Sequence, residues 1–406
     1  MKNKKPKIRF FNFEKDWNIK KLEDGSSKIG DGLHGTPVYS EDGEIAFING
    51  NNLINGEITL NSNTKYVNCS QKTQADRELN LNTILMSING TIGNLAWYRE
   101  EKIMLGKSVA YINISSFDKK FVYQMLQTSR VINYFLNNLT GSTIKNLGLK
   151  TIRETPILIP CIEEQQRIGV FLKKIDETLS LHQQELEALK QTKKGFLQKM
   201  FPKEAEVIPA IRFNDFEENW ETKKISEIAT ETFGGGTPKT AEKRFWSGDI
   251  PWIQSSDITQ HKVYEVFPKK TISEEAVKSS ATKLIPKDSI AVVTRVGVGK
   301  LALIEYDYST SQDFVSLSNL KSDKWFTVYS LYRILQRELY NVQGTSIKGI
   351  TKSELLEKNI LLPPNNEEQV KIGEFFRQLD EVIELKEKEL EALKETKKGF
   401  LQKMFV

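Results

Sequence analysis

Short glycine-containing segments of this chain collect the polar side chains that could contact a nucleic acid. Asn, Gln, Arg, Ser and Thr hydrogen-bond to base edges, whereas Lys and backbone amides bind phosphates. Gly, Asn and Ser are also the usual residues of turns, so a purely structural turn remains the alternative at every position. The candidate DNA-contacting residues are His34, Thr36, Asn49, Asn51, Asn52, Asn89, Thr91, Ser142, Thr143 and Lys145 in the first half, and Thr237, Lys239, Gln254, Ser255, Ser256, Arg295, Lys300, Thr345, Ser346 and Lys348 in the second.

Known catalytic motifs are missing from the sequence. Gly106-Lys-Ser108 resembles the end of a phosphate-binding loop, but Glu101 stands where that motif requires glycine. Gly297-Val-Gly-Lys300 fails too, because Leu301 follows it in place of Ser or Thr. The two cysteines and three histidines show no metal-ligand spacing, and no amino-methylation motif occurs. We therefore expect no catalytic residue and no metal site, but a binding and scaffolding protein.

The elements that must position the candidate loops come from an internal duplication. Residues 163–201 and 367–405 align without gaps with 25 identities in 39 positions, including Thr192-Lys-Lys-Gly-Phe-Leu-Gln-Lys-Met-Phe201. Earlier segments repeat more loosely, for example Ile8-Arg-Phe with Ile211-Arg-Phe and Gly35-Thr-Pro37 with Gly236-Thr-Pro238. A nearly invariant segment after each of two divergent globular parts is the pattern that selection for one framework with two specificities would leave. Drift after duplication is the alternative, but drift would be expected to erode the helices as well.

Each invariant segment has apolar residues at alternating spacings of three and four, which predicts a coiled-coil seam. About 38 residues at ~1.5 Å each give a helix of roughly 57 Å. If the two helices pair with each other, chain order requires them to run antiparallel. The polar seam positions His182 and Lys386 either fix the register or pack their stems while their ends reach water. The predicted seams are Ile168, Leu172, Ile175, Leu179, His182, Leu186, Leu189, Lys193, Phe196 and Met200, then Ile372, Phe376, Leu379, Ile383, Lys386, Leu390, Leu393, Lys397, Phe400 and Met404.

The predicted fold class is α+β, with two pseudo-symmetric mixed domains separated by two long helices that form an antiparallel coiled coil. The boundaries are 1–160 and 205–364 for the globular domains, and 161–204 and 365–406 for the helices. Strands are predicted from β-branched runs such as Ile290–Thr294, and amphipathic helices over 121–139 and 326–340. By symmetry Phe405 should lie close to Ile8. A net charge of +5, without a signal peptide or membrane span, permits a polyanionic partner and suggests a cytoplasmic protein.

Two variable domains alternating with two near-identical helices resemble the specificity (S) subunit of type I restriction–modification systems. The similarity extends to Gly30-Asp-Gly-Leu-His-Gly-Thr-Pro37, to Gly248-Asp-Ile-Pro-Trp-Ile253, and to Glu-Glu-Gln at 163–165 and 367–369. The resemblance implies that each domain is a target-recognition domain that reads one half of an asymmetric bipartite DNA site. It implies that the helices set the spacer and dock two methyltransferase (M) subunits, which restriction (R) subunits join.

The same resemblance implies that S-adenosylmethionine, ATP and Mg²⁺ are used by the partner subunits and that this chain binds none of them directly. Two other functions stay open at the level of sequence. One is a coiled-coil assembly scaffold without sequence readout, which would show no DNA preference in complex with the methyltransferase. The other is a self-sufficient restriction enzyme or methylase, which would cleave or methylate DNA alone.

Overall fold

The computed structural model describes residues 5–143, 145–203, 206–341 and 349–406, apart from the side chains of Tyr340 and Asn341. The chain divides into two compact units. Unit 1 comprises residues 1–184 and 388–406, and unit 2 comprises residues 185–387. Each unit therefore combines one globular domain with a part of each long helix.

Unit 1 is built on a four-stranded antiparallel sheet in the order β2-β10-β7-β8. Smaller sheets have the orders β1-β11, β6-β3-β9 and β4-β5, and in the second of these β3 runs parallel to β9. The strands are β1 (Asn18–Lys21), β2 (Ser26–Asp31), β3 (Ile45–Ile48), β4 (Leu53–Ile54), β5 (Glu57–Ile58), β6 (Lys65–Val67), β7 (Thr83–Ser87), β8 (Leu95–Trp97), β9 (Ile103–Leu105), β10 (Val109–Ile114) and β11 (Pro156–Ile159). The helices are α1 (Gln74–Arg77), α2 (Lys119–Leu126), α3 (Ser129–Asn137), α4 (Leu149–Arg153) and α5 (Ile162–Lys199), the last of which continues into unit 2.

Unit 2 repeats this plan with the sheet orders β13-β19-β16-β17, β12-β20 and β15-β14-β18. In the last sheet β14 runs parallel to β18, as β3 does to β9. The strands are β12 (Glu221–Lys224), β13 (Ala229–Gly234), β14 (Ile250–Ile253), β15 (Lys270–Ile272), β16 (Ser289–Val293), β17 (Leu301–Ile304), β18 (Ser309–Thr310), β19 (Phe314–Leu320) and β20 (Asn359–Leu362). The helices are α6 (Ile225–Ile228), α7 (Glu274–Ser279), α8 (Lys324–Asn341), α9 (Lys352–Leu356) and α10 (Asn366–Met404), which ends in unit 1.

The predicted α+β duplication is confirmed, and its strands lie where the β-branched runs predicted them. Every residue of β7 and β16, which are inner strands of the two four-stranded sheets, is buried, because both faces of the sheet are covered. The helix predicted over 326–340 is α8. The one predicted over 121–139 is instead two helices, α2 and α3, which are separated at Gln127 and Thr128. Gln127 is the C-cap of α2 and Thr128 the N-cap position of α3, so the chain turns where periodicity alone predicted continuity.

The two long helices run antiparallel within each unit. In unit 1 the rings of Phe171 and Phe400 meet edge to face at 5.0 Å, and the Ile8 amide donates to the Lys403 carbonyl at 2.9 Å. In unit 2 the rings of Phe196 and Phe375 meet at 5.1 Å. The buried seam residues include Leu172, Leu186, Phe376, Ile383 and Leu390, whereas Ile175, Leu179, Leu189, Phe196, Leu379, Leu393 and Phe400 are half-buried.

The two polar seam positions differ, and the second of the two predicted alternatives describes Lys386 but not His182. His182 Nδ1 lies 3.9 Å from a Glu389 carboxylate oxygen, and Lys386 Nζ lies 3.3 Å from a Glu185 carboxylate oxygen. Both side chains keep roughly a quarter of their surface exposed, and both glutamates are more than half exposed. The stem of Lys386 therefore packs in the seam while its ammonium reaches the surface of the helix pair. His182 Nδ1 is instead buried and makes no hydrogen bond to any residue that the structure describes.

Candidate nucleic-acid interface

The repeated Ile-Arg-Phe and Glu-Glu-Gln motifs fix the first turn of each long helix to its globular domain. Arg9 forms a two-pronged ion pair with the fully buried Glu164, at 2.7 and 2.8 Å, and Arg212 forms the same pair with Glu368 at 2.7 Å twice. The hydrogen bond to Glu164 is the main cause that raises the pKa of Arg9, and Glu368 acts likewise on Arg212. Such a bidentate pair fixes the orientation of the two side chains in addition to attracting their opposite charges.

Close backbone approach reinforces this junction in both units. A Cβ added to Gly169 would lie 2.7 Å from the amide nitrogen of Phe121, and one added to Gly373 would lie 2.6 Å from that of Phe326. Neither distance is possible without moving a backbone, so glycine is required where the helix crosses the start of α2 or α8. The repeated glycine thus brings helix and domain together.

The repeated Met-Phe ends of the helices close the cores. Phe405 packs against Trp17 and Phe121 with ring centroids 6.2 and 5.2 Å apart. Phe201 packs against Trp220 and Phe326 at 6.0 and 5.5 Å. Each long helix therefore begins on one globular domain and inserts its last phenylalanine into the core of a unit built on the other. The predicted proximity of Phe405 to the Ile8 region is confirmed by the Ile8–Lys403 hydrogen bond.

A lysine–aspartate pair links the helices in each unit, buried in unit 2 and half-buried in unit 1. Lys193 Nζ lies 2.5 Å from a carboxylate oxygen of Asp380, whose other oxygen accepts a 2.8 Å hydrogen bond from Tyr329. In unit 1 the equivalent Lys397 lies 2.6 Å from Asp176 and donates to Gln127. Burial raises the pKa of Asp380, while Lys193 opposes that shift. These pairs favour one alignment of the two helices.

In the first domain the candidate loops converge at one end of the four-stranded sheet. Ser108, which precedes β10, accepts a hydrogen bond from the Gly50 amide at 2.9 Å and donates to the Asn49 side chain at 3.0 Å. Its carbonyl also accepts from the Ile88 amide. His34, Thr36, Asn51, Thr91, Ser142, Thr143 and Lys145 are exposed there, whereas Asn49 and Asn89 are half-buried. The His34 ring lies 2.8 Å from the Asp31 carboxylate.

Asn52 is corrected by the structure from a DNA-contacting candidate to a structural residue. Its side chain is buried, its Oδ1 accepts from the Asn49 amide at 3.0 Å, and its Nδ2 donates to the Thr59 carbonyl at 3.0 Å. Both ends of the amide are therefore occupied inside the turn. Asn49, engaged by Ser108, belongs to the same framework.

In the second domain Thr237, Lys239, Ser256 and Arg295 are exposed at the corresponding end of the sheet, while Gln254 and Ser255 are half-buried. The loops are tied together there by Trp252, whose indole donates to the Gly236 carbonyl at 3.0 Å, and by the Ile350 amide, which donates to the Thr294 carbonyl. Thr345, Ser346 and Lys348 lie outside the described residues.

Lys300 is a second correction. Its ammonium donates to the carbonyls of Ser255 and Ile258 at 3.3 and 3.0 Å and so holds the loop that follows β14. Asn94, at the same position of the repeat, donates to the Leu53 carbonyl at 3.2 Å. Two of the three N–H donors of this ammonium are therefore bound to backbone carbonyls, which gives Lys300 a structural role like that of Asn94.

Sequence reasoning missed two exposed residues at this end of the sheets. Lys107 precedes β10 and Gln312 precedes β19 at equivalent positions, and both are exposed among the candidate loops. Gln312 accepts a 2.5 Å hydrogen bond from the predicted residue Thr237. Lys107 lies in the Gly106-Lys-Ser108 segment, which fails as a phosphate loop, but its basic side chain is by itself a sequence signal for contact with a polyanion.

The described part of the chain contains no group of histidine, cysteine and acidic residues placed to hold a metal ion. None of the helices, over the residues described, is long and apolar enough to cross a membrane. The two sheet ends carry different sets of hydrogen-bonding and basic side chains on the same repeated framework.

The duplicated framework and its variable loops define a class of DNA-specificity domain. The family model for the type I restriction modification DNA specificity domain matches the chain twice, over residues 14–191 and 217–395, and the chain belongs to this family.

Similar proteins carry the same description. The MjaX type I specificity subunit of Methanocaldococcus jannaschii is 23% identical over 95% of this chain and 92% of its own length. The MjaIX specificity subunit of the same organism is 30% identical, but the match spans only 46% of this chain and 44% of that protein. The S subunit crystal structure from M. genitalium matches 99% of both chains with a TM-score of 0.64 and 16% identity, which supports the fold.

Proposed function

We propose that this chain is the DNA-recognition subunit of a type I restriction–modification complex and that each globular domain reads one half of an asymmetric bipartite site. The observation that carries the proposal is the division of labour between repeated and divergent residues. Glu164, Lys397 and Phe405, with their counterparts Glu368, Lys193 and Phe201, make the same contacts in both units. The loop residues at the sheet ends differ, so two unlike half-sites are expected.

The long helices set the number of base pairs between the half-sites and dock two methyltransferase subunits in this proposal. S-adenosylmethionine, ATP and Mg²⁺ serve the partner methyltransferase and restriction subunits, and this chain is non-catalytic. The absence of catalytic motifs from the full sequence supports a non-catalytic subunit. Leu181 and Leu385, equivalent outward-facing residues that are 66% and 59% exposed, are apolar surface that a docked subunit could cover.

The test is methylome sequencing of cells that express this subunit with its methyltransferase. The expected result is one asymmetric motif with two different half-sites and a fixed spacer. Methylation with no preferred sequence would instead support the alternative, an assembly scaffold without readout. Methyl transfer or cleavage by the isolated chain would contradict the non-catalytic role.

A further inference from the structure

Unit 1 contains an open groove of about 1730 Å³ between its globular domain and its own parts of α5 and α10. Ile54, Leu81 and Leu181 form an exposed apolar rim. Seven lysine and arginine side chains line the groove against four aspartates and glutamates. The surface is therefore both apolar and positively charged.

The internal repeat explains where this charge comes from. In unit 2 the Lys324 ammonium lies 2.6 Å from Asp288 and 2.9 Å from Glu305. Lys119 is the equivalent residue of unit 1, because it is the first residue of α2 as Lys324 is of α8. Asn82 precedes β7 where Asp288 precedes β16, and Arg99 replaces Glu305 four residues after the start of the next strand. Unit 1 therefore has a neutral amide where unit 2 has the Asp288 carboxylate, and a guanidinium where unit 2 has the Glu305 carboxylate.

Lys119 consequently lacks the neutralising partners of its counterpart. Its ammonium donates to the Leu81 carbonyl and lies 4.9 Å from the centre of the Trp97 ring, and within the described ranges no carboxylate forms an ion pair with it. Burial, followed by the positive charges of Arg99 and Lys173, lowers the pKa of Lys119 to about 8. Among the residues that the structure describes, Arg99 and Lys173 form ion pairs with the solvent-exposed Glu57 and Glu177, and such exposed pairs contribute little free energy. An anion from outside the chain would complete this site.

The groove extends along the sheet to Gly93 and Asn94, beside the candidate loop at Thr91, but the position of Lys119 within it favours a protein anion over a DNA phosphate. Strand β7 begins at Thr83, beside Asn82, and ends at Ser87, just before the candidate loop at Asn89. Lys119, Asn82 and Arg99 therefore lie at the end of the sheet opposite to the candidate DNA-contacting loops. The leucine and isoleucine rim matches the apolar side chains of a polypeptide, whereas a phosphodiester backbone would leave that rim exposed.

We propose that this groove binds an acidic segment of the methyltransferase subunit that also carries apolar side chains, so that the two halves of the chain engage their methyltransferase subunits unequally. The identity of the partner rests on the proposed function. A carboxylate of that segment takes the place against Lys119 that Asp288 and Glu305 take against Lys324. Its apolar side chains cover Leu81 and Leu181.

The test transplants the carboxylates of unit 2 into the full-length chain as the double variant Asn82→Asp/Arg99→Glu. Two carboxylates beside a lysine already exist around Lys324, but Arg99→Glu also breaks the exposed Arg99–Glu57 ion pair, so thermal denaturation of the variant and its control checks that both fold. The matched control is Asn63→Asp/Lys65→Glu, which makes the same charge change at exposed residues of unit 1 outside the groove. Titration calorimetry and native mass spectrometry with the purified methyltransferase subunit should show one of two sites weakened at least about tenfold, with the control unchanged.

A second variant, Leu181→Glu, changes an exposed rim residue and should weaken the same site. Unchanged affinities at both sites in both variants would overturn the proposal. So would a loss of DNA affinity with methyltransferase binding intact, because the groove would then be a phosphate site. If the unmodified chain binds no methyltransferase at all, the proposed function fails with it, and that result is visible before any variant is compared.

Discussion

At the scale of single residues, the turn between β16 and β17 carries two basic side chains, Arg295 and Lys300, that make different contacts. Arg295 is exposed at the sheet end with the candidate loops, so Arg295→Ala should weaken DNA binding. Loss of one phosphate contact should also reduce the slope of log affinity against log salt by about 0.9. Binding isotherms at several salt concentrations, on DNA that carries the methylated motif, measure both quantities. Unchanged affinity and slope would remove Arg295 from the interface.

Lys300 provides the contrasting prediction. Lys300→Ala removes the donor to the Ser255 and Ile258 carbonyls, and leaving partly buried carbonyls unpaired should cost about 1–3 kcal/mol of stability. The salt slope of DNA binding should stay as in the unmodified chain. Thermal denaturation and the same isotherms test this, and a reduced slope with unchanged stability would restore Lys300 as a phosphate contact.

These residues show where sequence reasoning ends. Residue types were sufficient to predict the polar loops, and most of the described candidates lie together at one end of each sheet. It could not separate Arg295 from Lys300, or Asn51 from the buried Asn52, because those roles depend on contacts with residues distant in the chain. The role of Ser108 could not be predicted either, because it hydrogen-bonds to residues 49, 50 and 88, which lie in segments distant from it in the sequence.

At the scale of elements, the long helices were predictable because a repeat of three and four residues is local information. The lysine–aspartate pairs that align them were not, since Lys193 and Asp380 are far apart in sequence. Asp380→Ala should destabilise the chain by about 3–5 kcal/mol by leaving Lys193 buried without its partner. Asp176→Ala should cost less, because that carboxylate is 24% exposed against 10% for Asp380. Chemical denaturation compares the two, and equal losses would contradict the role assigned to burial.

The length of the helices leads to a separate prediction about spacing. Inserting four residues after Leu189 adds about one helical turn, or roughly 6 Å, to α5 without altering any candidate loop. Methylome sequencing should report a changed spacer with both half-sites unchanged. Altered half-site sequences would show that the helices do not act as the ruler.

At the scale of the whole molecule, the repeated contacts determine how domains can be exchanged. A domain that replaces residues 8–160 must supply an arginine for Glu164 and aromatic partners for Phe405, because both of those residues remain on the helices. Residues 211–364 of the same chain already carry Arg212, Trp220 and Phe326 in these positions. The second domain is therefore a ready replacement for the first.

A chain with the second domain in both places should recognise a site in which both half-sites carry the sequence formerly read by residues 211–364. The other half-site should disappear, while the spacer stays constant because neither helix is changed. Methylome sequencing gives all three results, and thermal denaturation of the purified chain confirms that the exchanged domain has folded. Survival of the original asymmetric motif would mean that the specificity does not reside in the globular domains.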